Sequence, residues 1–470
     1  MKMIIGGRWV DKDRKIDVRN PYDSSLVDTV PQGSPEDIKQ AIAVAGKGYE
    51  INREMPVHRR ISILKKTADI MQSRFEELAK TIATEGSKTI REARKEVGRA
   101  INTITISAEE ARRLNGETLP FDSAEGSENR IGYYYRFPIG IIGAITPFND
   151  PLNLVAHKLG PAIAGGNSIV LKPATVTPLS ALKLGQCLLD AGLPGEILSI
   201  VTGYGSELGE ALVSDERIRM VTFTGGVEAG QKITRMAGLK KIGMELGSNS
   251  PVIVLDDCDL DKAVDSCVSG AFWAAGQNCI GVQRIYIHKK IYDEFRRKFV
   301  HRTQQYKTGF QLDEDTDMGP MITEQEAIRV EQWVKEAVDK GARLLTGGSR
   351  RGTLFQPTVL EHIPVKAKLN CQEVFGPVVI LYQIDSLQEA VEKSNAVEYG
   401  LHGAIFTNNL NHAFYAVKHM EVGGIMVNDS TDYRVDLMPF GGVKKSGLGR
   451  EGIRFALQEM TEPKVVCFNL

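Results

Sequence analysis

Short apolar segments alternate with segments of helical period through the middle of the chain. The apolar segments cover residues 139–145, 168–171, 197–201 and 220–223. The segments with apolar residues three or four positions apart cover residues 152–163, 178–191, 205–212 and 226–236. Strands that are buried on both faces are apolar throughout, and helices between them cover the two faces of a parallel sheet. The pattern therefore predicts a doubly wound α/β domain of the nucleotide-binding type.

A second series of the same kind begins at residues 251–255. It continues with apolar segments at residues 282–288, 403–406 and 424–427. Two α/β domains in one chain usually leave a cleft between them, and ligand sites are common in such clefts. We therefore expect the functional site where the two series meet.

The N-terminal residues have a different pattern, which predicts helices and one projecting hairpin. Ser34 followed by Pro35 is typical of a helix start, and we expect this helix to run through Ala45 and to end at the glycines that follow. Residues 56–114 have amphipathic spacing and predict two or three more helices. The aromatic, β-prone residues 130–136 follow a polar segment and predict the hairpin.

Composition narrows the class of protein. Of the 470 residues, 42% are hydrophobic and 25% are charged, which excludes a disordered chain, a collagen and a coiled coil. The formal net charge of −1 gives no electrostatic surface for nucleic acid, so we expect a small-molecule partner. The six cysteines show no paired spacing, and no segment approaches the ~20 apolar residues of a membrane span. We expect a cytoplasmic protein without a metal site.

Three residues suggest covalent chemistry at a carbonyl carbon. The thiol of Cys279 is a good nucleophile if its pKa is lowered or a base stands nearby, although a single cysteine is more often a small buried residue. Glu245 lies between apolar residues, where burial would raise its pKa toward that of a useful base; a solvated charge at a helix end is the alternative. Asn149 lies in a proline-bracketed turn, and its amide can donate to an oxyanion.

Three further residues suggest a bound nucleotide. Gly225 and Gly226 follow a predicted strand and precede a predicted helix, where backbone amides suit a pyrophosphate. Taken alone, glycines at such turns are more often structural, because tight turns need positive φ. Lys172 lies at the end of another strand, which faces ligand in a doubly wound sheet.

These motifs, in this order, resemble the NAD(P)-dependent aldehyde dehydrogenase family over essentially the whole chain. The resemblance is carried by residues 147–149, 172–173, 223–225, 245–247, 276–279, 373–377 and 439–442 with 445–447. It implies an aldehyde dehydrogenase-like α/β fold with two doubly wound parallel-sheet domains and an oligomerisation β-hairpin. The implied bounds are residues 1–119 and 139–246 for the cofactor domain, 247–459 for the catalytic domain, and 120–138 with 460–470 for the oligomerisation strands.

The resemblance also implies catalytic roles. Cys279 would attack the aldehyde to form a thiohemiacetal, whose oxyanion is held by the Asn149 amide and the Cys279 backbone N–H. Hydride transfer to the nicotinamide would leave a thioester, and Glu245 would activate the water that hydrolyses it. The branch of the family that passes its thioester to coenzyme A lacks a carboxylate at this position, so the retained glutamate favours a free acid as product.

Cofactor binding is implied in the same way. Thr175 stands where members that prefer NAD usually carry a glutamate, whose charge would repel the extra phosphate of NADP. We therefore expect acceptance of NADP, with NAD also used. The implied cofactor-binding residues are Lys172, Thr175, Phe148, Gly225, Gly226, Glu373 and Phe375.

The substrate is the least constrained feature. Residues 149–158 resemble the branch acting on small polar aldehydes, which includes lactaldehyde, sulfolactaldehyde and phosphonoacetaldehyde dehydrogenases. Candidate substrate residues are His157, Arg99, Asn278 and Arg434, with a packed histidine and surface ion pairs of the two arginines as the alternatives. Asn278 stands where some members that oxidise phosphorylated aldehydes carry arginine, which disfavours a dianion. Anionic aldehydes such as sulfolactaldehyde, phosphonoacetaldehyde, succinic semialdehyde or glyceraldehyde 3-phosphate remain the alternative substrates.

Other functions and the assembly complete the expectations. A catalytically silent member with a structural or binding role, as among lens crystallins, is the second hypothesis; the intact Cys279, Glu245 and Asn149 argue against it. Esterase or acyl-CoA-forming activity through the same thiol is another. The final strand at 463–470 is apolar, and an unpaired apolar strand favours aggregation. We expect it to pair with a neighbouring subunit in a homodimer or homotetramer.

Overall fold

The computed structural model describes residues 1–470. The N-terminal region contains strands β1 (Met3–Ile5), β2 (Arg8–Val10), β3 (Lys15–Arg19) and β4 (Leu26–Pro31), and helices α1 (Pro35–Glu54), α2 (Val57–Ser73), α3 (Phe75–Glu85) and α4 (Ile90–Glu110). Two strands follow, β5 (Glu117–Leu119) and β6 (Arg130–Pro138). The prediction of two or three helices after residue 56 is confirmed.

The first α/β series follows the predicted alternation. Its elements are β7 (Ile141–Ile145), α5 (Asn153–Ala164), β8 (Ser168–Lys172), α6 (Leu179–Asp190), β9 (Leu198–Ile200), α7 (Gly205–Ser214), β10 (Ile218–Thr224), α8 (Val227–Ala237) and β11 (Lys241–Glu245).

The second series contains more strands than the apolar pattern predicts. Its elements are β12 (Ser250–Val254), α9 (Leu260–Phe272), β13 (Val282–His288), α10 (Tyr292–Gln304), α11 (Glu324–Asp339), β14 (Arg343–Thr346), β15 (Arg350–Arg351), β16 (Leu354–Phe355), β17 (Thr358–Glu361), α12 (Lys368–Cys371), β18 (Val378–Ile384), α13 (Leu387–Asn395), β19 (His402–Phe406), α14 (Leu410–His419) and β20 (Gly424–Val427). The chain ends with β21 (Gly447–Leu448), α15 (Ile453–Glu459) and β22 (Thr461–Asn469).

Two large sheets, parallel in their centres, confirm the predicted fold class. The first has the order β2-β1-β9-β8-β7-β10-β11-β21, and the second has the order β14-β17-β18-β13-β12-β19-β20. Both faces of the first sheet are buried, because Ile142 and Leu171 belong to one core and Val170 and Val221 to another. No helix combines the length and apolar character needed to cross a bilayer.

Helix α1 begins as predicted and ends later. The Ser34 hydroxyl accepts from the Asp37 N–H, and the Asp37 carboxylate accepts from the Ser34 N–H, which closes a capping box. The predicted end is wrong, because Gly46 and Gly48 lie inside the helix. A Cβ at residue 48 would lie 2.1 Å from the carbonyl oxygen of Glu196, so this glycine permits close packing rather than a stop.

The last strand pairs within its own chain. Strand β22 is antiparallel to β6 over nine residues, from Thr461 opposite Pro138 to Asn469 opposite Arg130. The order β22-β6-β5 leaves the outer edge of β22 without a partner in the chain. The expectation that β22 pairs with a neighbouring subunit stays a prediction, and it concerns the edge of β22 that is not paired with β6.

The strand ends of both sheets place the predicted site. The predicted domain boundary at residue 246 stays a prediction; it falls between the end of β11 at Glu245 and the start of β12 at Ser250. Asn149, Lys172 and Gly225 lie at or just beyond the carboxyl ends of β7, β8 and β10. In open α/β sheets this edge is where ligands bind.

Candidate active site

A cavity of about 620 Å³ is lined by residues of both α/β series. Asn149 and Glu245 come from the first series, and Cys279 comes from the segment between α9 and β13. The structure therefore brings the three predicted catalytic residues to one cavity. Asn278, Arg99 and Arg434 also line it.

The nucleophile segment has an unusual backbone. Residues 274–276 are consecutively left-handed, with φ of 50°, 55° and 68°. The Gln277 amide group donates to the Ala274 carbonyl at 2.9 Å, and its oxygen accepts from the Ile322 N–H at 2.9 Å. Left-handed alanine costs about 1 kcal/mol or more per residue. Surrounding contacts therefore hold an unfavourable conformation immediately before Cys279.

The Cys279 thiol is protonated in this environment. Burial raises its pKa to about 12, and the neighbouring Glu373 carboxyl contributes to the increase. Arg434 acts in the opposite direction but does not outweigh burial. The thiol must therefore lose its proton as it attacks, and a nearby group must accept that proton.

Glu245 lies in an environment suited to a base. Its side chain is 5% exposed, and one carboxylate oxygen has no hydrogen-bond partner. Burial raises its pKa well above the usual value, and the charge of Glu451 raises it further. Lys158 forms a buried ion pair with Glu451 and partly opposes this increase. A carboxylate with a raised pKa is a stronger proton acceptor near neutral pH.

The predicted nucleotide residues fit a dinucleotide. The Lys172 ammonium is buried and donates to the Pro173 carbonyl at 2.7 Å and to the Thr175 hydroxyl at 3.2 Å, with no carboxylate within 4.0 Å. Burial lowers its pKa to about 8. Gly226 is the N-cap of α8 and no side chain caps that helix, so its first amides are open to a phosphate. The Gly225 N–H donates to the Glu245 carbonyl at 3.0 Å, which links this turn to the base.

The second half of the predicted cofactor site is tightly packed. The Glu373 carboxylate accepts from the Ser248 N–H at 2.8 Å, and burial raises its pKa to about 7. A Cβ at residue 247 would lie 2.1 Å from a Glu373 oxygen, which explains the glycine of that signature. The Phe375 ring stands perpendicular to the Phe148 ring, with 5.7 Å between their centres.

His157 takes a buried position beside Asp436. Its ring is fully buried, does not line the cavity, and lies with Nε2 2.9 Å from Asp436. Burial lowers the pKa of His157, which favours the neutral ring. Burial opposes ionisation of Asp436, but the contacts with His157 and Arg99 outweigh it and lower the pKa of that carboxyl. This position fits the alternative of a packed histidine, and contact of His157 with the substrate stays a prediction.

Arg99 and Arg434, the two candidate substrate arginines, differ in their burial and in their hydrogen-bond partners. Arg99 donates to Asp436 at 2.8 Å and lies 3.8 Å from Asp150, so its charge is balanced within the protein. Arg434 is only 7% exposed, donates to Glu451 at 3.2 Å, and has no hydrogen-bond partner at Nε. The surface-ion-pair interpretation is therefore wrong for Arg434, which is buried and lines the cavity.

Several residues of the site were not predicted. The cavity wall also includes Lys95, Trp273, Phe440 and Glu451. The Lys95 ammonium lies 5.0 Å from the Trp273 ring centre. A sequence signal existed for the ion pair behind the base, because Lys158 is the only charged residue in an otherwise apolar helical segment and needs a buried partner.

Comparisons with known proteins agree with the geometry. The sequence model of the aldehyde dehydrogenase family matches residues 9–466. Aspartate-semialdehyde dehydrogenase 1 of Pseudomonas canavaninivorans is 51% identical over 97% of this chain and 97% of its own. The 3-sulfolactaldehyde dehydrogenase of Priestia aryabhattai is 47% identical over 100% of this chain and 98% of its own.

A solved structure gives the same result. The glyceraldehyde-3-phosphate dehydrogenase GapN of Methanocaldococcus jannaschii, complexed with NADP, superposes with a TM-score of 0.94 and 41% identity, covering 98% of this chain and 100% of that one. The predicted resemblance to the lactaldehyde and sulfolactaldehyde dehydrogenase branch is confirmed.

Proposed function

The chain belongs to the aldehyde dehydrogenase family, and we propose from this premise that it oxidises a small polar aldehyde bearing one negative charge to the carboxylic acid. The oxidation itself is NAD(P)-dependent. The observation that carries the proposal is the convergence of Cys279, Asn149, Glu245 and Arg434 on one cavity. A thiol, an amide donor, a base and a cation are the groups this reaction needs.

The first half of the reaction occurs at sulfur. The Cys279 sulfur bonds to the aldehyde carbon, its proton leaves to a neighbouring base, and the carbonyl oxygen becomes an oxyanion. The Asn149 amide and the Cys279 backbone N–H donate to that oxyanion. A bound dinucleotide would supply the hydride acceptor, and loss of hydride from the same carbon would leave a thioester on Cys279.

The second half is hydrolysis. Glu245 takes a proton from water as the water oxygen attacks the thioester carbon. The carbon–sulfur bond breaks, the acid is released, and the sulfur regains a proton. The raised pKa of Glu245 supports this role, because the group must accept a proton from water and return it in each cycle.

The charge of the substrate is argued from Arg434 and Asn278. Arg434 lines the cavity and shares the single carboxylate of Glu451 with Lys158, so the two cations exceed the charge of that carboxylate, and a substrate carboxylate or sulfonate would balance it. Asn278 supplies no second cation, and the charge of Arg99 is already balanced by Asp436. Lys95 is a further cation of the cavity wall, but its charge acts on the Asp432 carboxyl at the same wall. The cationic charge left for a ligand therefore suits a monoanion better than a phosphate dianion. The names of the two curated relatives, which are semialdehyde and sulfolactaldehyde dehydrogenases, support the same class.

NADP is the preferred dinucleotide in this proposal. The neutral hydroxyl of Thr175 lies 3.2 Å from the Lys172 ammonium, and neither would repel an added phosphate. The NADP bound in the structurally similar GapN supports this preference. NAD remains a second acceptor.

The assembly is proposed to be a homodimer or homotetramer. The outer edge of β22 is unpaired, and its neighbourhood exposes Ile131, Tyr135 and Val465. Such an apolar sheet edge is stable in solution only when covered. Sedimentation showing only particles of the 51.7 kDa chain would contradict this. The cytoplasmic location is proposed because all six cysteines are free thiols.

The decisive experiment follows reduced nicotinamide and product together. Succinic semialdehyde, lactaldehyde and glyceraldehyde 3-phosphate are compared with NADP and with NAD, and Cys279→Ser serves as the blank. We expect the highest kcat/KM with the carboxylated aldehyde and NADP, a free acid as product, and no turnover in the blank. Equal kcat/KM for lactaldehyde would remove the anion from the proposal, and turnover by Cys279→Ser would remove the nucleophile.

A further inference from the structure

Helix α4 presents a row of polar side chains to the segments around the cavity. The residues are Glu92, Glu96, Arg99 and Thr103, spaced by four, three and four positions, so they lie on one face of the helix. Each bonds to a segment outside the helix. Of these four residues, only Arg99 was predicted from the sequence to belong to the site.

Glu92 contacts the nucleophile segment. One oxygen of its buried carboxylate accepts from the Ala274 N–H at 2.9 Å, and the other accepts from the Thr89 N–H at 2.8 Å. Ala274 is the first of the three left-handed residues that precede Cys279. The contact therefore fixes the residue at which the strained turn begins.

Glu96 contacts the oxyanion segment one helical turn later. One oxygen of its carboxylate accepts from the Leu152 N–H at 2.8 Å and from the Asn153 N–H at 3.0 Å. The other oxygen accepts from Lys88 at 2.7 Å, and Lys88 also pairs with Asp150. These bonds fix the loop that begins at Asn149.

The same face extends further. Arg99 holds Asp436, two residues beyond Arg434, and the Thr103 hydroxyl donates to the Asn153 side-chain oxygen at 2.8 Å. A single rigid helix is thus bonded to the nucleophile, oxyanion and substrate segments, which come from three distant parts of the chain. Catalytic groups must be held within fractions of an ångström, and misplacement by 1 Å costs about a hundredfold in rate.

We infer that Glu92 and Glu96 are positioning residues, and that α4 sets the distance between the Cys279 thiol and the Asn149 amide. Glu92 locates the thiol and Glu96 locates the amide. The inference rests on the proposed roles of Cys279 and Asn149. It adds that the distance between the thiol and the amide is set by a helix that carries neither group.

The test uses Glu92→Gln and Glu96→Gln, with Glu85→Gln as the matched control. Glutamine keeps the shape, but its amide nitrogen cannot accept a hydrogen bond. Glu92→Gln therefore loses one backbone N–H contact, and Glu96→Gln loses the contact with the Lys88 ammonium. Glu85 is equally buried and accepts from the Leu179 and Ser180 N–H groups, so it caps a helix in the same manner. That helix, α6, carries none of the three proposed catalytic residues.

Three quantities are measured on the full-length protein. They are the thermal midpoint, kcat at saturating aldehyde and dinucleotide, and the rate of Cys279 alkylation by iodoacetamide without dinucleotide, followed on the Cys279 peptide by mass spectrometry. We expect Glu92→Gln to slow both alkylation and kcat at least about tenfold with little change in KM. Glu96→Gln should lower kcat similarly while alkylation stays within about twofold. Glu85→Gln should lower the midpoint comparably while kcat stays within about twofold.

A rescue variant separates positioning from stability. Glycine adopts positive φ without the alanine penalty, so Ala274→Gly should restore about fivefold of the alkylation rate in the Glu92→Gln background and none in the parent. If Glu92→Gln does not fold, the Glu96→Gln arm decides alone. Two results would overturn the inference. One is that Glu92→Gln and Glu96→Gln lose no more kcat than Glu85→Gln at the same thermal midpoint. The other is that Glu92→Gln and Glu96→Gln are alkylated at identical rates. Oxidation by Cys279→Ser would instead overturn the proposed function, and the alkylation comparison would still report on Glu92.

Discussion

The guanidinium of Arg434 lies 3.7 Å from the centre of the Phe440 ring. The ring fixes one face of the guanidinium, and Glu451 fixes one of its terminal nitrogens. The Nε of Arg434 is buried and has no hydrogen-bond partner. A cation held in this way is pre-organised for an anion, because little side-chain freedom remains to be lost when the anion binds.

Replacing Arg434 with methionine should remove the preference for anionic aldehydes. A hydrogen bond to a charged group contributes about 1.5–3 kcal/mol, which corresponds to a loss of about ten- to hundredfold in kcat/KM for succinic semialdehyde. The kcat/KM for lactaldehyde should change much less. Steady-state kinetics with both aldehydes measure the ratio, and a parallel loss for both would indicate a general structural effect.

Replacing Glu451 with glutamine should shift the pH dependence of thioester hydrolysis. Hydrolysis requires ionised Glu245, whose pKa is raised by burial and by the charge of Glu451. Removing that charge lowers the pKa of Glu245, so the acidic limb of the rate should move to lower pH. Lys158→Met removes a cation that lowers the same pKa and should move the limb the other way. Single-turnover hydrolysis across pH measures both, and shifts of the same sign would contradict the electrostatic argument.

Replacing Thr175 with glutamate should convert the dinucleotide preference. A carboxylate beside Lys172 would neutralise that cation and repel the added phosphate of NADP. We expect kcat/KM for NADP to fall about ten- to hundredfold, with NAD unchanged or improved. Thr175→Gln introduces a side chain of the same size as glutamate but without its charge. This variant is the control and should retain NADP use.

Glycine substitutions should have opposite effects at two positions. A Cβ at residue 276 would lie 2.2 Å from the Gly376 carbonyl oxygen, and the residue has φ of +68°, so Gly276→Ala should destabilise the nucleophile segment and abolish turnover. Gly98 lies inside α4, where a Cβ meets nothing within 4 Å, so Gly98→Ala should stabilise by about 0.5–1 kcal/mol. Thermal unfolding of the two variants tests the contrast.

Much of the fold was predictable because each element is encoded locally. Strands β13 and β20 occupy the predicted residues 282–288 and 424–427, since β-branched, aromatic and other apolar residues make up most of both segments. Strands β14 to β17 were not predicted, because strands of two to four residues are too short to give a recognisable pattern. The end of α1 escaped because Gly48 serves a contact with Glu196, which a sequence pattern does not contain.

The site residues show the same distinction between features encoded locally and features that depend on contacts distant in sequence. Cys279, Glu245 and Asn149 were predictable because their neighbours in sequence form short motifs, and all three line the cavity. The packed position of His157 could not be predicted, because its partner Asp436 lies 279 positions away in sequence. The supporting contacts of Glu92 and Glu96 are equally remote, and a charged residue on an amphipathic helix is ordinarily a solvated one.

The pairing of β22 with β6 has a consequence for biosynthesis. Arg136 donates to Thr461, 325 positions later, and β22 ends at Asn469, next to the last residue. A ribosome making this chain therefore releases β6 long before its partner exists. Strand β6 stays an unpaired edge until residues 461–469 have been synthesised and released, which favours association of nascent chains with one another or with chaperones. Completion of this small sheet is therefore a late step of folding, and deletion of residues 461–470 would leave this edge of β6 permanently unpaired.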